Sequence, residues 1–226
     1  MIDKNDIQHH IQRHIMAVLT YKEYARFSEM RPKGIDSNAY SYHLTKLLKN
    51  EIILKNGAQY TLSQTGLTYV DRVSADSKKV RTQPKIITML VVQNGNGDIL
   101  LQQRNKQPYI NQWTLPYGKL HIDDNSVKAA AERELHEKLG IESTKLVHAG
   151  DCYIRVKDDA SILTSTLAHI FKFYSDDIAE SDTVQWVRPH KLMNYSLAPA
   201  VEQIVARTFF NDPFFFEEFE VDLSTI

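Results

Sequence analysis

The stretch from Trp113 to Ile141, WTLPYGKLHIDDNSVKAAAERELHEKLGI, constrains the fold of this chain more than any other. Its second half predicts a helix over about Ser126–Leu139 that ends at Gly140, since glycine commonly follows the last turn of a helix. Glu134 and Glu137 lie three residues apart on this helix and therefore share a face. Carboxylates that converge in this way are suited to bind Mg²⁺ or Mn²⁺, which prefer oxygen ligands.

This stretch resembles the signature of the Nudix hydrolases, G-x5-E-x7-R-E-U-x-E-E-x-G-U, where U is a bulky aliphatic residue. The likeness rests on Arg133-Glu134-Leu135, Glu137 and Gly140-Ile141. The flanking residues resemble the family as well: Gln102-Gln103-Arg104, Pro108-Tyr109, Trp113, Leu115-Pro116 and Gly118. The resemblance implies an enzyme that hydrolyses a nucleoside diphosphate linked to another group, with Mg²⁺ or Mn²⁺ as its cofactor.

Two carboxylates of that signature are absent from this chain. The first Glu of the pattern falls on Asn125, and the second Glu of the E-E pair is Lys138. Asp123 or Asp124 is a shorter substitute for the first. A lysine only donates hydrogen bonds and cannot ligate a metal, and we expect Lys138 to pair with Glu134 one turn before it. The sequence therefore leaves open whether the domain hydrolyses its ligand or only binds it.

The resemblance assigns candidate site residues in two groups. If the domain is active, the catalytic residues are Arg133, Glu134 and Glu137, and the two glutamates are also the metal ligands. The candidates for binding the nucleotide, through phosphate contacts and stacking, are Arg104, Tyr109 and Trp113. A place in the hydrophobic core is the alternative for Trp113.

The charge distribution indicates two modules. The chain has 226 residues and a net charge of −1. Residues 1–85 carry 14 Lys and Arg against 8 Asp and Glu, a net charge of +6, so the remainder carries −7. Such a split favours a basic module that faces a polyanion. We predict an N-terminal domain at 1–73, a polar linker at 74–85, a second domain at 86–211, and an aromatic and acidic tail at 212–226 that docks on a domain or on a second subunit.

The N-terminal part resembles the winged helix-turn-helix regulators. Apolar residues at helical spacing and a cap at Asp36 or Ser37 predict three helices, and Asn56-Gly57 predicts a hairpin turn between two strands. The predicted elements are helices Asp6–Leu19, Lys22–Met30 and from the cap to Asn50, and strands Ile52–Lys55 and Gln59–Leu62.

If this module binds double-stranded DNA, the third helix enters the major groove. Its small polar side chains would meet base edges, and its lysines would meet phosphates. The candidate DNA-binding residues are Asn38, Ser41, Tyr42, Thr45, Lys46, Lys49 and, in the wing, Lys55. The alternative is a module that binds another protein and whose lysines are a solvated face.

After residue 85 the pattern predicts strands around the motif helix, and a last helix at Leu197–Phe210 with Pro199 in its first turn. The predicted strands are Ile86–Gln93, Asp98–Gln103, Leu146–Val156, Leu163–Tyr174 and Val184–Val187. The fold class is therefore α+β: a winged helix-turn-helix, then a mixed β-sheet of the Nudix type sandwiched by α-helices.

Two functions stay open at this point. The first is a transcriptional regulator whose degenerate Nudix domain senses a nucleotide-derived metabolite, and the second is a working Mg²⁺-dependent pyrophosphohydrolase. The polar N-terminus, the lack of a long apolar run and the single Cys152 lead us to expect a cytoplasmic protein that does not enter membranes. A homodimer is expected if the protein binds two half-sites on DNA.

Overall fold

The computed structural model describes residues 7, 9–73, 83–143, 145–159, 161–209 and 214–225. The chain divides into two compact units, Met1–Thr82 and Gln83–Ile226. Most of the predicted linker lies outside the described residues, and the predicted domain limits stay a prediction. No described helix has the length and the apolar character needed to cross a bilayer.

In its described residues, the first unit has four helices and a three-stranded sheet. The helices are α1 (His10–Thr20), α2 (Phe27–Met30), α3 (Ser37–Lys49) and α4 (Gln64–Arg72), and the strands are β1 (Ala25–Arg26), β2 (Ile53–Asn56) and β3 (Gln59–Leu62), in the order β1-β3-β2. The Asp36 carboxylate accepts hydrogen bonds from the backbone N–H groups of Asn38 and Ala39, which fixes the start of α3. Ile15, Tyr40 and Leu47 are fully buried and join α1 to α3.

One expectation for this unit needs correction, and one helix was not predicted. The second helix was expected to begin at Lys22, but it begins at Phe27 because Ala25 and Arg26 pair with β3 as a strand. Helix α4 was not predicted from the sequence. Its start is fixed by Ser63, whose hydroxyl accepts a hydrogen bond from Gly66 N.

The second unit is one mixed sheet with a helix on each face. Its long strands are β4 (Lys85–Gln93), β5 (Ile99–Gln103), β8 (Val147–Asp158), β9 (Ser161–Tyr174), β10 (Val184–Val187) and β11 (Phe215–Asp222), in the order β10-β5-β4-β9-β8-β11. The short strands β6 (Trp113–Thr114) and β7 (Tyr117–Lys119) pair with β5 and β4. Helix α5 (Val127–Leu139) packs with Leu90 and Val92, and α6 (Val201–Phe209) packs with Met89 and Val91. This alternation along β4 confirms the expected sandwich.

The last helix begins later than expected, and the tail takes one of the two expected positions. Helix α6 begins at Val201 and not at Leu197, because the residues just before it hydrogen-bond to β6 instead of forming a helical turn. Ala198 N donates to Trp113 O, and Ala200 has a φ of +68°. The tail docks on its own unit, as β11 pairs in parallel with β8 from Phe215 onward. Gly150 permits this pairing, since a Cβ there would collide with the Phe215 backbone and ring.

Candidate functional site

Helix α5 carries its two glutamates in different environments. Ala131 and Leu135 are fully buried against the sheet, which turns Glu134 inward to 4% exposure. The side chain of Glu137 is 51% exposed. Gly118 on β7 lies directly against the Glu134 carboxylate. A Cβ atom added at Gly118 would overlap three atoms of that carboxylate. The glycine of the motif therefore makes room for this carboxylate.

Arg133 connects the carboxylates at this end of α5. Its Nε and Nη2 atoms donate to the two oxygens of Asp124, each at 2.9 Å. Its Nη1 atom donates to Glu134 Oε1 at 2.6 Å and lies 3.5 Å from Glu137 Oε1. A further bond runs from Nη2 to the backbone oxygen of Lys119 at 3.0 Å. One guanidinium therefore contacts three carboxylates and balances the charge of only one of them.

The electrostatics of the cluster follow from these bonds. The hydrogen bond from Arg133 and a weaker contribution from the backbone N–H of His121 together lower the pKa of Asp124 to about 2. The same contact with Asp124, followed by the one with Glu134, raises the pKa of Arg133 above its ordinary value. Asp124 is thus anionic at neutral pH and is bound to the arginine.

Asp124, one of the two expected substitutes, lies next to Arg133, while Asn125, where the pattern places its first Glu, is exposed. The expected pair between Lys138 and Glu134 is wrong. Lys138 is exposed and has no ion pair with any residue in the described part of the chain, because Glu134 faces inward and Arg133 already holds it. The cation beside Glu134 is Arg133.

A cleft lies on the face of the sheet that packs against α6, and Arg104 lies on its wall together with Tyr109 and Tyr117. The Arg104 guanidinium donates from Nη1 to the Tyr117 hydroxyl and from Nε to the Pro108 backbone oxygen at 2.9 Å. Its central carbon lies 5.3 Å from the centre of the Tyr117 ring and 5.9 Å from that of Tyr109. Burial lowers the pKa of Arg104 below its ordinary value, yet an arginine stays charged at any physiological pH.

The far wall of the cleft comes from β8 and β9. The Tyr109 hydroxyl shares a hydrogen bond of 2.9 Å with Thr164 Oγ1, and burial raises the pKa of Tyr109. Ile154 and Val156 add an apolar surface. The cleft thus combines a guanidinium, two aromatic rings and hydroxyl groups. These groups suit a ligand with an anionic part and a flat apolar part.

Two of the three residues expected to bind the nucleotide lie on this cleft. Trp113 does not line it. Its ring packs edge-on against Tyr195, with 5.7 Å between ring centres. Sequence reasoning missed Tyr117 and Thr164. Tyr117 is flanked by the Pro116 and Gly118 of the motif, which was a usable signal, whereas Thr164 belongs to a distant strand that no motif marks.

The expected DNA-binding residues lie at the surface of the first unit. Six of them are exposed and Ser41 is partly exposed. Asn38, Tyr42, Thr45 and Lys49 follow one another at intervals of three or four residues along α3, so they lie on one face. Lys55 projects from β2, and its Nζ lies 5.8 Å from the ring centre of Tyr60. Helix α3 and the β2–β3 hairpin thus both expose lysine amines.

Comparison with known proteins adds a family match. A family model described as the NUDIX domain matches residues 83–208. A curated relative, the ADPR responsive transcriptional repressor NtrR of Acinetobacter baylyi, is 31% identical over 112 residues, which cover 47% of this chain and 44% of the relative. The match therefore spans less than half the length of that protein.

Solved structures resemble the chain in fold. A mutator MutT protein from Bacillus halodurans has a TM-score of 0.50 at 18% identity, covering 62% of this chain and 91% of that one. The NUDIX domain of Shewanella oneidensis NrtR complexed with ADP ribose has a TM-score of 0.46 at 17% identity, covering 64% and 96%. The first of these likenesses shows the fold of the second unit.

Proposed function

The chain belongs to the NUDIX domain family, and we propose that it is a DNA-binding transcriptional regulator whose Nudix unit binds, as its effector, a nucleoside diphosphate of the ADP-ribose kind. The observation that carries the proposal is the state of the motif helix, where Arg133 is bonded to the carboxylates that remain. Such a unit retains a ligand cleft and loses the means to hydrolyse what it binds.

The loss of metal ligands speaks against hydrolysis. Nudix proteins generally use a divalent cation, and Mg²⁺ needs several oxygen ligands in near-octahedral geometry. Here Lys138 and Asn125 stand where the pattern has carboxylates. Asp124 is bonded to Arg133, and Arg133 also binds one oxygen of Glu134 at 2.6 Å. This donor set does not fit the metal cluster of the family, so we propose that the unit binds without hydrolysing.

The ligand class follows from the cleft and from the relative. Arg104 between two tyrosine rings fits a diphosphate attached to a base that stacks. The relative described as an ADPR responsive transcriptional repressor favours ADP-ribose among such compounds. Within this proposal Arg104 and Tyr109 bind the ligand, and Tyr117 and Thr164 hold these two residues in place.

The DNA-binding part of the proposal rests on the first unit. Residues 1–85 carry a net charge of +6. Helix α3 exposes Lys46 and Lys49 beside polar side chains that suit base edges. For ligand binding to alter DNA affinity, the ligand must favour one state of the protein over another, since equal affinity shifts nothing. The expected cytoplasmic location and the homodimer stay predictions.

Calorimetry tests the effector. The purified chain is titrated with ADP-ribose in EDTA, and the mixture is then checked for AMP and ribose 5-phosphate. We expect saturable binding without metal and an unchanged ligand. A protein that binds ADP-ribose only when Mg²⁺ is supplied, and then cleaves it, would refute the proposal.

Fluorescence anisotropy tests the regulator. A duplex enriched by the protein from a random pool is titrated at several salt concentrations, with and without saturating ADP-ribose. We expect the ligand to change the affinity about 10-fold, within the usual range for coupled sites. The double variant Lys46→Ala/Lys49→Ala should reduce the salt slope by about 2. Failure to enrich any duplex, or an affinity that ignores salt, would remove the DNA-binding role.

An active Mg²⁺-dependent pyrophosphohydrolase is the second candidate, favoured by the retention of Arg133, Glu134 and Glu137. Under it, the two glutamates are the metal ligands. Calorimetric titration with Mg²⁺ separates the candidates. The regulator binds Mg²⁺ weakly and gains affinity in Lys138→Glu, whereas tight binding by the wild type supports the enzyme.

A further inference from the structure

A second group of potential metal ligands lies on β8 and β9, apart from the motif helix and from the cleft. Donor atoms of His148, Asp151 and His169 lie within 4.8 Å of one another, and among the described residues this is the one such group of His, Cys, Asp and Glu. His169 Nδ1 is 2.7 Å, and His148 Nε2 is 2.9 Å, from the same oxygen of Asp151. Neither the family match nor the proposed function accounts for this cluster.

The backbone explains why three distant side chains meet. Asp151 and His169 are directly opposite each other in the antiparallel pair of β8 and β9, so their side chains leave the same face. His148 lies three residues before Asp151 and would point to the other face of a regular strand. A β-bulge between His148 and Gly150 inserts an extra residue and brings the His148 side chain back to this face.

Neighbouring aromatic rings fix the orientation of the outermost ligand. The His148 ring stacks on buried Phe171 with 4.7 Å between centres and 13° between planes. Phe214 packs edge-on against the same imidazole, with 5.2 Å between ring centres. The side chains of Asp151 and His169 are 23% and 17% exposed, so the group is held firmly and is still open to solvent.

We propose that His148, Asp151 and His169 bind a divalent transition-metal ion of the Zn²⁺ class. Two imidazole nitrogens and one carboxylate oxygen suit Zn²⁺, and an open fourth position remains for water. Mg²⁺ prefers oxygen ligands alone and is not expected here. Ligand atoms at 2.0–2.2 Å from a tetrahedral ion lie about 3.4 Å apart, so the His169–Asp151 and His148–Asp151 contacts, now 2.7 and 2.9 Å, must lengthen by about 0.7 and 0.5 Å to admit the ion.

The site also has a structural consequence for the end of the chain. Phe214 contacts His148, and the next residue begins the pairing of β11 with β8 at Gly150. An ion that holds His148 against Asp151 and His169 therefore stabilises the bulge on which β11 docks. Metal binding should protect the segment after residue 214 from proteolysis.

The test is a titration of chelator-treated, full-length protein with ZnCl₂, followed by calorimetry and thermal unfolding. We expect one ion per chain in this site and a rise of several degrees in Tm that MgCl₂ does not produce, since an ion that binds only the folded form stabilises it. Asp151→Asn and His169→Gln should each weaken Zn²⁺ binding at least 10-fold. The matched control is His190→Gln, an exposed histidine outside the cluster, which should bind Zn²⁺ like the wild type.

Two further measurements keep the proposal falsifiable if a sheet variant folds poorly. His148→Gln changes the most exposed member of the group and should leave the sheet intact while it weakens Zn²⁺ binding. Co²⁺ added to the wild type should give the visible absorption of a tetrahedral site, and this absorption should be lost in His148→Gln. The proposal is overturned if the wild type binds no Zn²⁺, or if binding survives in all three variants, for example at the stacked His9 and His43 rings.

Discussion

Arg133 and Arg104 belong to the same unit and differ in what they contact. Arg133 is bonded to the carboxylates of Asp124 and Glu134, so its charge is neutralised within the protein. Arg104 contacts a tyrosine hydroxyl and backbone oxygens, and no described carboxylate pairs with it. A positive charge without an internal counter-charge remains available to an anionic ligand. The partners of an arginine, rather than its presence in a motif, decide whether it binds a ligand or stabilises the fold.

The largest loss of stability is expected at Gly118 on β7, which lies against the buried Glu134 carboxylate. In Gly118→Ala the new methyl group would overlap Glu134, so we expect a loss of about 4 kcal/mol in the free energy of unfolding, as for other severe steric conflicts. Urea denaturation measures it. The double variant Gly118→Ala/Glu134→Ala should recover part of this loss, because the colliding atoms are gone. Without that recovery, the proposed collision is not the cause.

The next largest loss of stability is expected when Arg133, the counter-charge of Glu134, is removed. Arg133→Ala leaves the buried Glu134 carboxylate without its partner and should cost about 2–4 kcal/mol, below the value for a fully buried pair because the arginine is 24% exposed. Lys138→Ala is the matched control on the same helix and should change stability by less than about 0.5 kcal/mol. Thermal and urea unfolding of both variants decide the point. Equal losses would mean that the two cations have the same role.

The contrast between these cations also shows what the sequence could predict. The motif and its flanks were sufficient for the fold of the second unit, because turn glycines, strand alternation and helix caps are local signals. The partner of Glu134 was not predictable in this way. The expected contact with Lys138 followed from helical spacing, whereas the observed contact with Arg133 depends on how deeply α5 is buried and on where the loop places Asp124.

Tertiary contacts also explain the missed elements. Ala25 and Arg26 form a strand only because β3 lies beside them, and the helix predicted from Leu197 is shortened because that segment pairs with Trp113. The cluster of His148 with His169 depends on a bulge, which a strand pattern does not reveal. Motif residues were thus easier to predict than the residues that complete a site from another strand.

Arg104 is expected to show a smaller loss, in binding rather than in stability. Arg104→Ala should weaken ADP-ribose binding about 10- to 100-fold, as a charge-assisted hydrogen bond contributes about 1.5–3 kcal/mol. Calorimetry measures the affinity, and a thermal scan shows whether the variant folds. Arg188→Ala, at a side chain that is 66% exposed and is absent from the cleft, is the control and should bind normally. If both variants bind alike, the ligand lies elsewhere.

The smallest effect is a pH dependence of stability at Asp124. Its pKa is lowered to about 2 by the hydrogen bond from Arg133, against an ordinary value of 3.8. Because the pKa is lower in the folded state, the ionised carboxylate stabilises the folded protein above pH 4, and this stabilisation is lost as the pH falls from about 4 towards 2.

Asp124→Asn should therefore cost about 1–2 kcal/mol in the free energy of unfolding at pH 6, since the Glu134 contact of Arg133 remains. Urea denaturation of both proteins between pH 6 and pH 2.5 should show the difference shrinking as the wild-type carboxylate takes up its proton. A difference that stays constant over this range would mean that Asp124 stabilises the protein by its shape and not by its charge, and the view of Arg133 as an internally neutralised cation would then rest on Glu134 alone.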